Sequence, residues 1–177
     1  MGISCLQLVD FDTVEESNLA SQGYLEQDLR TFKVQATAEL CWKINANLDI
    51  VRVIDRFRRS LRIGNVVFTC VDQIDIRRLI WESAKDRVDF FCDGRMSAEV
   101  LRVVTACDAK GQEHYPTTLF SAGEAYQGAC TAKTTIYCAN IAAGLMISQF
   151  TKWLRGLPID PDIQLNLLTS ELTVTPV

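Results

Sequence analysis

Short apolar runs that end on an acid recur along this chain, and stretches of helical period separate them. "CLQLVD" (residues 5–10), "ANLDIVRVID" (46–55), "NVVFTCVD" (65–72) and "VDFFCD" (88–93) are of strand length, and each closes on an aspartate. Between the first two runs, Leu29, Phe32, Val34, Ala36, Ala38, Leu40, Cys41 and Ile44 recur mostly at helical spacing, which predicts a helix over 26–45. After the third run, Ile76, Leu79, Ile80 and Ala84 share one helical face over 73–87. "EVLRVVTAC" (99–107) reads as a fifth strand, and Thr134 to Leu154 as a long apolar helix stopped by Gly156 and Pro158. The tail from residue 162 alternates weakly, as an edge strand does. This alternation builds an open, mainly parallel α/β sheet with helices on both faces.

Ligands of such sheets bind beyond the carboxyl ends of the strands. Asp10, Asp12, Asp72 and Asp93 all follow apolar runs and are therefore expected on that rim, either meeting a nucleotide or metal or capping the next helix. A chain of 177 residues suits one domain, 1–177, burying roughly 70% of its unfolded surface. Its 48% hydrophobic and 23% charged residues exclude a disordered segment, and a net charge of −4 gives no electrostatic reason to bind nucleic acid. The basic stretch "RVIDRFRRSLR" (52–62) lies among acids and reads as a solvated face. None of the seven cysteines is spaced C-x-x-C, which predicts neither a disulfide framework nor zinc and places the chain in a reducing, cytoplasmic compartment. Cys41, Cys70 and Cys138 read as small buried hydrophobes. His114, the sole histidine, reads as a surface-loop residue. No apolar run reaches the ~18 residues of a membrane span.

Four blocks in fixed order carry more information than the lone acids. They are "DFDTVEESNLASQ" (10–22), "FKVQA" (32–36), "TCVDQIDIRR" (69–78) and "GACTAKTT" (128–135). Together they resemble the ThiF/MoeB/HesA family, the adenylyltransferase part of the ubiquitin-activating-enzyme-like superfamily. The resemblance implies a Rossmann-like α/β fold that binds ATP and Mg²⁺. It also implies adenylylation of the C-terminal carboxylate of a ubiquitin-like or sulfur-carrier protein ending in Gly-Gly. By the same resemblance Asp10 is the acid that meets the ribose hydroxyls, with Asp12 and Gln22 in the same nucleotide-binding block. Asn18 and Lys33 meet the phosphates, Asp72 holds Mg²⁺, and Arg77 occupies the position of the family's arginine. "ACTAK" resembles the element around the thioester-forming cysteine, which makes Cys130 a candidate nucleophile; the other reading of Cys130 is a small buried hydrophobe. A homodimer or heterodimer is also implied.

Two departures from the family pattern bear on these expectations. Ser21 stands where the family carries an arginine, removing one cation expected at the phosphates. The sequence also holds no G-x-G-x-x-G turn, the segment whose backbone N–H groups cradle phosphates at a helix N-terminus. The expectation is therefore an adenylyltransferase domain incomplete at its N-terminus. The alternative is a non-catalytic relative that recognises a ubiquitin-like partner or dimerises with an active subunit. A Rossmann-like dehydrogenase would need the same glycine-rich turn and finds nothing here for hydride chemistry.

Overall fold

The computed structural model describes residues 3–120 and 135–176. Two compact units divide the chain, Met1–Ile63 and Gly64–Val177.

In the first unit, strand β1 (Cys5–Val9) pairs in parallel with β2 (Asp49–Val53), Val9 opposite Val53. Helix α1 (Glu16–Gln22) ends at Gly23, whose φ of 74° is the left-handed conformation that stops a helix. Helix α2 (Lys33–Ile44) packs on both strands and buries Val34, Ala36 and Ala38. The sequence places this helix seven residues earlier. A 3₁₀ turn over Glu26–Asp28, followed by Arg30 at φ 68°, breaks the helical path there. The backbone instead pairs with the segment after β1: Val14 N–H donates to Thr31 O (2.8 Å), Arg30 N–H to Val14 O (2.9 Å) and Lys33 N–H to Asp12 O (2.9 Å). Val14, 2% exposed, seals this small ladder.

The second unit is built on a five-strand sheet in the order β3 (Val66–Thr69), β4 (Phe90–Ser97), β5 (Val100–Ala106), β6 (Asp162–Asn166), β7 (Glu171–Val174). Helix α3 (Ile74–Ala84) connects β3 to β4, which run parallel; the other three pairs are antiparallel. Among the described residues parallel pairing is thus confined to β1–β2 and β3–β4. The reason is connection length: only Ala98 and Glu99 join β4 to β5, with Ala98 at φ 54°, and two residues can make a hairpin but never a crossover. The tail is likewise a hairpin, which makes β6 an interior strand.

Alternation along β4 sorts its side chains to two faces. Phe90 and Cys92 join Leu101, Val103 and Ile163 beneath helix α5 (Ile136–Leu154), which contributes Cys138, Ala142, Met146 and Phe150. Rings of Phe68, Phe90, Phe150 and Trp153 meet there with centroids 5.3–5.9 Å apart. Phe91 turns to the other face, where Trp81 of α3 and Tyr115 of α4 (Ala109–Thr117) approach it at 5.1 and 4.9 Å. Burial of these aromatic rings supplies much of the unit's stabilisation, at roughly 25 cal/mol per Å² of apolar surface. Cys138 is buried as expected, whereas Cys41 is half-buried and Cys70, just beyond the end of β3, is exposed.

Helix α4 has no counterpart in the sequence reading, because "AKGQEHYPT" holds a glycine, a proline and little apolar period. Its start is set by Asp108, whose Oδ1 accepts the Gly111 N–H at 2.8 Å. Gly111 lies hard against β5: an added Cβ would stand 2.9 Å from Ala106 Cα and 3.1 Å from Thr105 O, both backbone atoms. Gly111→Ala is expected to destabilise the protein by about 1–3 kcal/mol, read as a lower midpoint in urea denaturation.

His114 also sits on α4 rather than in a loop. Its Nε2 lies 2.8 Å from Asp162 Oδ2, and Arg102 clamps the same carboxylate at 2.8 and 2.6 Å. Burial by itself would raise the Asp162 carboxyl, but hydrogen bonds from Arg102 and His114 outweigh it and hold the group below the usual carboxylate range. A folded value beneath the unfolded one means that the stabilisation is complete above the ordinary carboxylate pKa of 3.8 and is lost as pH falls through the lower folded value. Unfolding free energy should therefore drop on acidification below about pH 4. Asp162→Asn should flatten that limb, a comparison that denaturation at pH 7 and pH 3 makes directly.

Candidate functional site

The first block places its acids as β1 ends. Asp10 Oδ1 accepts the backbone N–H of Asp12 at 2.9 Å, a local turn that aspartate makes readily and that swings the chain out of the strand. The ladder between residues 12–14 and 30–33 then brings the first residue of α2 alongside, and Lys33 Nζ reaches Asp12 Oδ2 at 3.2 Å. The Lys33 side chain is 13% exposed and that of Asp12 49%. One turn into α1, Asn18 Oδ1 accepts the Glu15 N–H at 2.9 Å, while Asn18 N–H donates to Glu15 O. With Oδ1 so engaged, the Nδ2 donor of Asn18 is left without a partner among the described residues.

These groups surround a cavity of about 390 Å³ lined by Phe11, Asp12, Thr13, Glu15, Asn18 and Lys33. Asp10, one residue before Phe11, is half-buried and is not among the lining residues. Gln22, at the end of α1, is exposed and does not line the cavity. Ser21 turns its hydroxyl back onto its own helix, Oγ donating to Ser17 O at 2.8 Å. Phe11, Thr13 and Glu15 were not singled out from the sequence. Their signal was present only as positions inside the same block, since nothing in a lone Phe, Thr or Glu marks a binding wall.

In the second unit, Asp72 is exposed on the link between β3 and α3. Arg77, on α3, is buried, and its guanidinium bonds Asp93 Oδ1, Gly94 O (3.1 Å) and Val71 O. Burial draws Arg77 down to about 10, which leaves it charged near neutral pH. Asp93 is 0% exposed: Arg95 Nε donates to its Oδ2 at 2.7 Å and Tyr115 OH at 2.9 Å. The expectation that Asp93 meets a ligand on the rim is therefore corrected. Strand β4 continues to Ser97, so Asp93 lies in mid-strand with both carboxylate oxygens engaged inside the protein. Arg95 and Tyr115 escaped sequence reading, because only packing shows that they converge on one carboxylate.

Cys130 lies outside the described residues. Burial pushes the thiols of Cys92 and Cys107 up to about 12 and about 11, so neither is an available thiolate. Among the described residues no three or more His, Cys, Asp or Glu side chains converge as a metal site. Magnesium in nucleotide enzymes commonly rests on one or two carboxylates, with phosphates and water completing its shell. A solitary exposed Asp72 suits that donor set, and it suits no all-protein metal cage. Among the described residues no helix is long and apolar enough to cross a membrane.

Solved structures with this fold include PaaA, at a TM-score of 0.75 and 20% identity over 98% of this chain and 65% of that one. E. coli MccB with MccA-N7isoASN superposes at 0.77 with 14% identity, covering 98% of this chain and 57% of MccB, and MccB with ATP at 0.74 with 13%, covering 98% and 56%. The chain thus spans 56–65% of the length of these structural relatives, and at such identities the likeness establishes the Rossmann-like α/β fold. No curated protein sequence matches it. The ThiF family profile, however, matches residues 1–174, nearly the whole sequence and every block that frames the cavity, and the chain belongs to the ThiF family.

Proposed function

We propose that this chain carries the nucleotide site of an adenylyltransferase, which activates the C-terminal carboxylate of a small carrier protein or peptide with ATP. One observation carries the reading: Asp12 and Asn18 of the first block and Lys33, fifteen residues beyond Asn18, line one polar cavity beyond the carboxyl end of β1, with Asp10 bonded to the backbone of Asp12. Asp10 offers carboxylate oxygens suited to ribose hydroxyls. Asn18 Nδ2 and Lys33 Nζ offer donors to phosphate oxygens, and Lys33 supplies positive charge as the α-phosphate is attacked. Asp72 would hold Mg²⁺. Arg77 serves the same reaction by positioning, since its bond to Val71 O anchors the link that carries Asp72.

In the reaction a carrier carboxylate oxygen attacks the α-phosphorus of ATP, forming an acyl-adenylate and releasing pyrophosphate. ThiF membership supports this class of chemistry, and MccB, whose solved structures include complexes with ATP and with N-formylated MccA, offers a precedent on the same fold. A ubiquitin-like or sulfur-carrier protein ending in Gly-Gly is the substrate we favour. Attack of the Cys130 thiolate on the acyl-adenylate, which breaks the acyl–phosphate bond, forms a thioester and releases AMP, rests on the "ACTAK" motif.

A second reading, a non-catalytic subunit that binds such a carrier or pairs with an active partner, is favoured by Ser21, whose hydroxyl is occupied within its helix and brings no cation. Calorimetric titration with ATP·Mg²⁺ separates the two. Saturable binding that Lys33→Ala weakens supports the enzyme site, and absence of binding with retained affinity for a Gly-Gly-ending carrier supports the subunit.

A further inference from the structure

Of the side chains lining the cavity, Asp12 and Glu15 are acidic and Lys33 alone is basic, and Lys33 is already paired with Asp12. A polyphosphate is strongly anionic, so a site with this balance needs further positive charge to hold one. The stretch read from sequence as a solvated basic face supplies it. Strands β1 and β2 run parallel with their ends level, Asp10 N–H donating to Val53 O at 3.2 Å, so the residues beyond both strands leave the sheet at one edge. There the Arg56 guanidinium carbon lies 4.7 Å from the centroid of the Phe11 ring, and Phe11 is a wall of the cavity.

The neighbouring acid makes no salt bridge to the Arg56 guanidinium. Asp55 gives its carboxylate to the Arg58 guanidinium, at 3.0 and 3.2 Å, and to the backbone N–H of Arg56, at 2.7 Å. Among the described residues the Arg56 guanidinium pairs with no acid. A guanidinium lying on an aromatic ring keeps its N–H donors in its own plane, a fork that matches two phosphate oxygens, and the ring limits the freedom it would lose on binding. Two other arginines of the stretch are placed differently. Arg52 bonds Gln35 and lies over Trp42, and Arg58 is held by Asp55.

We propose that Arg56, seated on Phe11, is a phosphate-binding residue of this cavity and gives it a preference for nucleotides with a di- or triphosphate chain over the bare nucleoside. This deepens the reading of the cavity as a nucleotide site and rests on it. The role is one of binding and specificity, and no covalent step passes through Arg56.

The test is calorimetric titration of the protein with ATP, ADP and adenosine in the presence of Mg²⁺, alongside Arg56→Ala, Arg56→Lys and the charge control Arg59→Ala. Arg56→Ala should weaken ATP and ADP roughly tenfold or more, as loss of a charge-assisted hydrogen bond does, and leave adenosine unchanged. Arg56→Lys should recover part of the loss, Arg59→Ala should change little, and ATP affinity should fall less steeply with added salt in Arg56→Ala than in the wild type. Unchanged ATP affinity in Arg56→Ala would overturn the proposal and leave the nucleotide site standing. Equal weakening of ATP and adenosine would also overturn it, pointing to support of Phe11 alone. A wild type that binds none of the three ligands would overturn the nucleotide reading itself, and this proposal with it.

Discussion

Replacing Asp93 with alanine is expected to lower the free energy of unfolding by about 3–5 kcal/mol, because it strands buried positive charge. Asp93 is 0% exposed, and the Arg77 and Arg95 side chains are 7% and 12% exposed. Both guanidinium groups face the one carboxylate, and the Tyr115 hydroxyl donates to it as well. Without that carboxylate the arginines repel each other in a poorly solvated space. Asp93→Asn should cost less, since the amide oxygen still accepts one bond, although its NH₂ opposes the second guanidinium. Arg77→Ala should also cost less than Asp93→Ala, because Arg95 and Tyr115 remain to satisfy the acid. Urea denaturation followed by tryptophan fluorescence measures all three, Trp81 lying 4.6 Å from Tyr115 within the same cluster. A loss below about 1 kcal/mol for Asp93→Ala would show that water reaches the cluster and that the arginines are not held by this acid.

Lys33→Ala is expected to weaken ATP·Mg²⁺ binding by roughly 10–100-fold while changing stability little. The asymmetry follows from exposure. Among the described residues the Lys33 ammonium meets only Asp12, and with the Asp12 side chain 49% exposed the pair is screened on that side and worth about 1 kcal/mol to the fold. Phosphate is a different partner, since it brings concentrated negative charge to the same ammonium. Lys33→Arg should retain part of the affinity, because charge is kept while its point-like placement is not. Calorimetry reports the affinity and a thermal melt the stability. Binding within threefold of wild type in Lys33→Ala would remove Lys33 from the phosphates and, with it, the principal support for an adenylylating site.

The parts of the fold that were legible in the sequence are those whose pattern is local. Runs such as "NVVFTCVD" and the periodic stretch through Ile76, Leu79, Ile80 and Ala84 became β3 and α3 within a few residues, because apolar spacing alone selects strand or helix there. Helix α1 was hidden inside a recognisable motif, for seven residues with no buried side chain show no apolar period. Helix α4 was hidden by its own Gly111 and Pro116, although Asp108 three residues before Gly111 is a capping signal. The antiparallel course of β5 was in principle readable from the brevity of the link at Ala98 and Glu99, and the strand–helix alternation elsewhere obscured it.

By itself the sequence determined the family, since the ordered blocks that carry it are facts of order along the chain, and it named Asp12, Asn18 and Lys33 but not Phe11, Thr13 or Glu15 among the cavity's lining residues. It also determined that the chain would be an α/β protein, because periodicity is a property of neighbours. Only the tertiary structure decided which charges stay open to solvent and which are locked inside the fold. Asp12 and Asp93 both follow apolar runs, yet one ends half-exposed beside Lys33 and the other disappears between two arginines. Arg56 and Arg58 are two residues apart, yet one rests on an aromatic wall and the other on Asp55. The physical reason is that the role of a charge depends on its desolvation and on partners brought from elsewhere in the chain.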